Sequence, residues 1–449
     1  MRRVLVIAFY TAPSADVGAR RTDRFLCYLP RFGWEAIVLS VKTKYYTRHD
    51  ASKCLPNNVF VARTLCPMPL VWYHNRKHKS RSTKERVLQE REDVSFSPSP
   101  SSMKRFSLRA KIAWSLQLPD EFNCWIPFGI WEGWRLIRRF HPEVIYASAK
   151  PISALVIGWA LKKITGLPLV IDFRDIWIGN PWDIPQPYHV QRWKTRIERR
   201  LVCDAECVVL NTPKAREIYV QRYSDIPEDR FDCIPNGYDP ADFDSIEDVA
   251  RTEGGIGSAF TIVHTGTVYG LMDPRPLLRA IHDLLCSHSV AHNKLRLDFY
   301  GACLVRAGGR NLEDLVSELN LQGVVRLNPP VSHAEALRIQ RTADALLLLI
   351  PGSDVAVPSK AYEYLKTGKP ILALCSSSSA TARLISETRT GVIADPWDVE
   401  AIKSTVLSLV SGALSINPDE EAIRRYSAEY QTRQLSLLLE SVASQRAPK

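Results

Sequence analysis

The chain has 449 residues, 45% of them hydrophobic and 24% charged, which is enough apolar content for two or three buried cores and too much for a disordered chain. Its net charge of +11 is unevenly spread: residues 1–200 hold 34 Lys and Arg against 16 Asp and Glu, a balance of +18, and the rest hold 25 against 32, a balance of −7. A basic half suits an acidic counterpart such as a phosphate-bearing ligand, an anionic membrane surface or nucleic acid, and equally suits a surface that only aids solubility.

Ten cysteines are scattered without a C-x-x-C pair or histidines at zinc spacing, so no disulfide framework or zinc site is expected and a reducing cytoplasm fits. The opening "MRRVLVIAFYTAP" has too short an apolar run for a secretory signal and no small-residue cleavage site. The longest apolar stretches, "ISALVIGWAL" and "ADALLLLI", fall short of the roughly 20 residues that cross a bilayer. The expectation is a cytoplasmic protein, able to lie on the inner face of the plasma membrane without spanning it.

Short, continuously apolar runs alternate with amphipathic ones. "RVLVIAFY" reads as a buried strand, "GARRTDRFLCYLPRFG" as a helix and "EAIVLSV" as a strand; "EVIYAS", "PLVIDFRD" and "AECVVLNT" continue the strands. That rhythm predicts a doubly wound parallel sheet with helices on both faces, which binds ligands at the carboxyl ends of its strands. Residues 76–111, basic and Ser/Pro-rich, break the pattern and read as a surface insertion. Residues 239–259, acidic and then Gly-rich, read as a linker. From "FTIVHTG" the rhythm restarts through "LRLDFYG", "VVRLNPP", "DALLLLI" and "PILALC". The fold class is therefore α/β with two Rossmann-like domains, 1–238 and 260–420, facing each other across an interdomain cleft, and a helical tail, 421–449, that closes the molecule.

The stretch "VPSKAYEYLKTGKPILAL" concentrates chemistry. Pro358 fits a first helical position. The amides of Ser359 and Lys360 then sit at the positive end of the helix dipole, where anions bind, and Lys360 adds a full charge. Glu363 lies one turn on, on the same face, where a carboxylate can grip two ribose hydroxyls or can simply complement the dipole and pair with a lysine. Gly266 and Thr267 in "HTGTVYG", Gly301 in "DFYGAC" and Val331 in "LNPPVSH" fall at other strand ends of that domain, where small residues let backbone amides approach a phosphate.

In the first domain, Gly18 and Arg20 follow the first strand, and Ser148 ends another. Asp172, Arg174 and Asp175 occupy the turn "IDFRDIW"; one carboxylate is expected to pair with Arg174 and the other, Asp175, to orient an acceptor hydroxyl. Asp242 and Asp244 form a D-x-D triplet, but in an acidic linker, so it reads as chance and no metal or cofactor is expected.

Taken together, "FYTAPSADVGARRTDRFLCYLPRFGWEAIVLS", "PLVIDFRDIWIGNPW", "VVLNTPKAREIY", "CIPNGYDPADF", "VHTGTVYGLMDPRPLLRAI" and "VPSKAYEYLKTGKPILAL" resemble family 4 of the glycosyltransferases, in particular the bacterial branch that builds surface polysaccharides. The resemblance implies a GT-B architecture, a nucleotide-sugar donor (UDP- or GDP-linked) held by the second domain, and transfer with retention. It makes Glu363 the ribose-binding glutamate, Ser359 and Lys360 the diphosphate-contacting segment, and Gly266 and Thr267 the adjoining loop. Two positions depart from the family pattern. Val355, beside Asp354, stands where many members have a sugar-contacting glutamate; Thr267 replaces an arginine, with Arg275 the nearby cation. The catalytic candidates are Asp175 and Lys360. The expected acceptor is a glycan or a lipid-diphosphate-linked one. Alternatives are a sugar-nucleotide epimerase of the same fold and a non-catalytic relative; nucleic acid is not expected as a partner, because no recognisable binding module interleaves aromatic with basic residues.

Overall fold

The computed structural model describes residues 1–50, 53–67, 115, 117–180, 183, 186–244, 259–305 and 311–445. The expected insertion at 76–111 lies outside them, as does most of the expected linker.

The described chain divides into two compact units, one of residues 1–236 with 428–449 and one of residues 237–427. The first is built on a parallel sheet of β1 (Arg2–Ile7), β2 (Trp34–Val41), β3 (Phe60–Thr64), β4 (Val144–Ser148), β5 (Leu169–Phe173), β6 (Cys207–Leu210) and β7 (Phe231–Cys233), in the order β3-β2-β1-β4-β5-β6-β7. Val4 to Ile7, all of β4 and all of β5 are buried, as continuous apolar strands covered on both faces must be. β3 and β7 were not readable in the sequence: β3 is half exposed at the sheet edge and β7 is three residues long.

The second unit holds β8 (Phe260–Thr265), β9 (Leu295–Tyr300), β10 (Val325–Asn328), β11 (Ala345–Ile350), β12 (Ile371–Cys375) and β13 (Gly391–Ala394), ordered β10-β9-β8-β11-β12-β13, again all parallel. The order reverses between β1 and β4 in one sheet and between β8 and β11 in the other. Each reversal splays the adjoining loops apart and opens a crevice at the carboxyl ends of the strands.

The boundaries differ from the sequence reading in two places. Pro240–Asp244, assigned to the linker, is a short helix of the second unit. The tail divides: Glu420–Arg424 stays with the second unit, whereas the helix Ala428–Ser444 packs into the first. There Leu435, Leu438, Leu439 and Val442 join a core with Val4, Val6, Val144 and Tyr146, because its apolar stripe meets the open face of β1 and β4.

Candidate functional site

In the second unit the strand-order reversal brings the end of β8 beside the helix Ser359–Thr367, which follows β11. Pro358 is the residue before that helix rather than its first: its extended ψ of 145° makes it the N-cap, without a side-chain cap. The amides of Ser359 and Lys360 thus occupy the positive end of the helix.

Lys360 reaches back across the loop. Its Nζ lies 3.0 Å from Nε2 of His264, the penultimate residue of β8. Burial pushes the Lys360 ammonium down to about 8, against the pull of Glu363. Gly266 packs on this ammonium: a Cβ there would stand 2.9 Å from Nζ, and its φ of +114° disfavours any side chain. Gly301, φ +150°, closes the next strand end against it, since a Cβ would lie 2.4 Å from the Gly266 carbonyl oxygen. Hydrogen bonds from Gly266 N to Tyr300 O (2.7 Å) and Val268 N to Ala302 O (2.9 Å) lock the two loops together. The structure therefore gathers Gly266, Thr267, Gly301, Ser359 and Lys360 at one end of one sheet.

Glu363 is buried one turn inward, and Nε2 of His333 donates to its Oε1 over 3.0 Å. His333 begins the helix His333–Thr342, just past the exposed Val331. Sequence spacing did not show this partner, which stands 30 residues away. Beneath, Tyr364 Oη accepts from Thr265 N (3.1 Å) and Gln340 Nε2 donates to Thr265 Oγ1 (2.9 Å), pinning the end of β8 to both helices. Arg275 is engaged by its neighbour Asp273, with Nε 2.7 Å from Oδ2. At the departing position Val355, the preceding Asp354 is exposed and uses its carbonyl to accept from Ala380 N.

In the first unit the predicted residues lie around the ends of β1, β4 and β5. Asp172 is wholly buried. Arg21 grips it through Nε (2.9 Å) and Nη2 (3.3 Å), Tyr146 Oη donates to it through a short bond, and Ser148 Oγ adds a third contact at 3.3 Å. A carboxylate this saturated holds β4, β5 and the helix Val17–Tyr28 together; Arg21 also reaches the Pro235 carbonyl at 2.7 Å. Arg174 donates to the Gly18 carbonyl over 2.7 Å. Burial lowers its guanidinium from the ordinary value, with Asp175 foremost among the carboxylates that keep it charged. Asp175 is exposed, and Arg20 is half-buried on its helix.

The turn after β5 has an anchor that sequence reasoning missed. Glu198, on the helix Tyr188–Asp204, is fully buried and accepts from Tyr219 Oη (3.0 Å), Tyr223 Oη (2.7 Å), Arg222 Nη1 (2.8 Å) and Ile178 N (3.2 Å). A glutamate among arginines on a basic helix carries no local signal of such a role.

Among the described residues no group of three or more His, Cys, Asp or Glu could hold a metal ion, and no helix is long and apolar enough to cross a membrane. None of the ten cysteines forms a disulfide.

The chain is similar to several known proteins. The model of Glycosyltransferase Family 4 matches residues 94–242. A D-inositol 3-phosphate glycosyltransferase of Kineococcus radiotolerans is 28% identical over 192 residues, which is 42% of this chain and 43% of that protein. The chain spans about half the length of the curated relatives it matches. Among solved structures, the trehalose-6-phosphate synthase OtsA aligns over 100% of both chains with a TM-score of 0.62 at 12% identity. HepE of Anabaena in complex with UDP aligns over 98% of this chain and 100% of its own, with a TM-score of 0.55 at 14% identity. The family match thus covers about a third of the chain, and the two parallel Rossmann-like sheets have the GT-B fold of these solved structures.

Proposed function

We propose that the protein transfers a sugar from a nucleotide diphosphate-sugar to a hydroxyl of a glycan or lipid-linked acceptor, with retention, in surface-polysaccharide synthesis. The observation that carries this reading is the grouping of Lys360, the Ser359 helix start, the interlocked Gly266 and Gly301 loops and the buried Glu363 at one strand-order reversal. The complex of HepE with UDP and the similarity to D-inositol 3-phosphate glycosyltransferases support this chemical class.

In the reaction the bond from the anomeric carbon to the diphosphate oxygen breaks, a bond to the acceptor oxygen forms on the same face, and the acceptor proton passes to the departing diphosphate. The difficulty is charge, because a cationic sugar and an anionic leaving group develop together. Lys360 and the amides of Ser359 and Lys360 would stabilise the leaving phosphates, with Gly266 and Thr267 alongside. Glu363 would bind the ribose. Asp175, exposed where Asp172 is not, is the carboxylate proposed to orient the acceptor. Titration with UDP, GDP and ADP, alongside Glu363→Ala, tests the reading. One nucleotide should bind, and the variant should lose about 10–100-fold, the equivalent of one or two charge-assisted hydrogen bonds. No binding, or an unaffected variant, would remove the donor-site reading. A nucleotide sugar consumed without any acceptor would favour an epimerase instead.

We also propose that the first unit works at an anionic membrane on the cytoplasmic face. The support is a stripe on the helix Ile126–Phe140: Phe128 and Trp131 (63% exposed) are followed on the same side by exposed Arg135 and Arg138, the latter stacked 5.0 Å over the Trp134 ring. Aromatic residues backed by arginines one turn on match the boundary between acyl chains and charged headgroups. Flotation with phosphatidylcholine vesicles containing roughly one-third phosphatidylglycerol should carry the protein up, with Trp131→Ala and Arg138→Glu each weakening it (~1 kcal/mol per basic residue). Equal flotation on pure phosphatidylcholine would sink the idea.

A further inference from the structure

The side chain of His264 lies outside the residues that the donor-site reading uses, and the motif around it pointed to Gly266 and Thr267 instead. Its ring is buried at the end of β8, tilted against Phe299 with 5.7 Å between centroids. Nδ1 lies 3.0 Å from the Leu347 carbonyl oxygen, which can only accept, so Nδ1 carries the hydrogen. Nε2 then holds the lone pair, and it faces the Lys360 ammonium at 3.0 Å. The groups facing this ammonium are the His264 ring from β8 and Glu363 from its own helix, itself bonded to His333 from the neighbouring helix. Burial, seconded by the Lys360 charge, holds the His264 imidazolium well below its ordinary range, so the proton of the pair resides on the lysine.

From this geometry we propose that His264 is a positioning residue for Lys360: a neutral, tautomer-locked acceptor that aims the ammonium at the loop of Gly266 and keeps it charged there to meet an anionic diphosphate. Without the ring, the lysine would lose its hydrogen-bond acceptor, and burial would favour its neutral form. The inference rests on the donor-site reading for the identity of the anion but not for the His264–Lys360 coupling, so the two can fail separately.

The test has a ligand-free arm and a ligand arm. In the full chain, nitrogen–proton correlation spectra of the histidines should show His264 as the neutral Nδ1–H tautomer from pH 6 to 8; an imidazolium or an Nε2–H tautomer there overturns the proposal. Competitive acylation followed by peptide mass analysis gives the titration midpoint of Lys360, expected near 8. His264→Asn keeps a donor for Leu347 but falls short of Lys360, and should lower that midpoint by about one pH unit. His264→Gln reaches farther and should restore part of it. With UDP as probe at pH 7, His264→Asn should bind about tenfold more weakly and His264→Gln less so, whereas uridine affinity should be alike in all three. A folded His264→Asn protein with an unchanged Lys360 midpoint refutes the coupling. An altered midpoint with no UDP, GDP or ADP bound by the parent leaves the coupling standing and removes the donor site instead.

Discussion

Arg21 and Asp172 give the sharpest separation between a structural and a catalytic carboxylate. Their side chains are 4% and 0% exposed, with two contacts at 2.9 and 3.3 Å. At such separations, with an effective dielectric constant of about 20, the attraction is about 5 kcal/mol. Desolvation of both groups offsets much of that, so the pair adds little over an apolar replacement. Removing one partner is different, because it strands the other charge in the interior at a cost of about 3–5 kcal/mol. Asp172→Asn leaves an oxygen for Tyr146 and Ser148 but strands Arg21; Arg21→Met strands Asp172. The double variant strands neither, and its loss should be smaller than the sum of the two single losses by about 2 kcal/mol or more. Urea unfolding of the parent, both single variants and the double variant, followed by intrinsic tryptophan fluorescence, measures each loss as a shift in midpoint at constant slope. Additive losses, or Asp172→Asn within ~1 kcal/mol of the parent, would refute the account. A stable Asp172→Asn protein with no transferase activity would return Asp172 to the reaction.

Two further outcomes follow from carboxylates of the first unit, Glu198 and Asp23. Glu198→Ala leaves Arg222, two tyrosine hydroxyls and the Ile178 amide without their shared acceptor, and should lower stability by about 3–5 kcal/mol in urea unfolding; a loss under ~1 kcal/mol would show that water replaces the carboxylate. Asp23 accepts from Ala12 N at 3.1 Å, and burial pushes its carboxyl up to about 7, against that hydrogen bond and the charges of Lys53, Arg63 and Arg24. The folded state therefore holds a proton that the unfolded state releases near 4, so stability should fall as pH rises from about 4 to 7 and level off above. In Asp23→Asn that part of the slope should vanish, and unfolding midpoints at pH 4.5, 6 and 8 would show it; identical slopes for parent and variant count against the shift.

The strands with unbroken apolar runs were readable because burial on both faces leaves no other composition for them: "RVLVI", "EVIYAS", "ALLLLI" and "ILALC" all form central strands. Edge elements such as β3 and β7 escaped, since half-exposed or three-residue strands carry neither alternation nor length. At the proposed donor site, local spacing pointed to the face shared by Lys360 and Glu363. It was silent on His264 and His333, whose contacts span 96 and 30 residues. The same limit applied in the first unit, where the partner of Asp172 is 151 residues away. Charged residues at a strand end look alike in sequence whether they face a ligand or one another, and only folding shows which carboxylate is already spoken for.

The passage of the chain out of the first unit at residue 236 and back at 428 makes the second unit an insertion within the first. The inserted unit is one uninterrupted segment and is fully synthesised before the enclosing one. On the ribosome, β1 and β4 wait with part of their apolar surface uncovered until Leu435, Leu438, Leu439 and Val442, near the end of the chain, emerge to cover it. A nascent chain arrested at residue 427 would therefore carry a complete second unit attached to an unfinished first one whose apolar surface is still exposed.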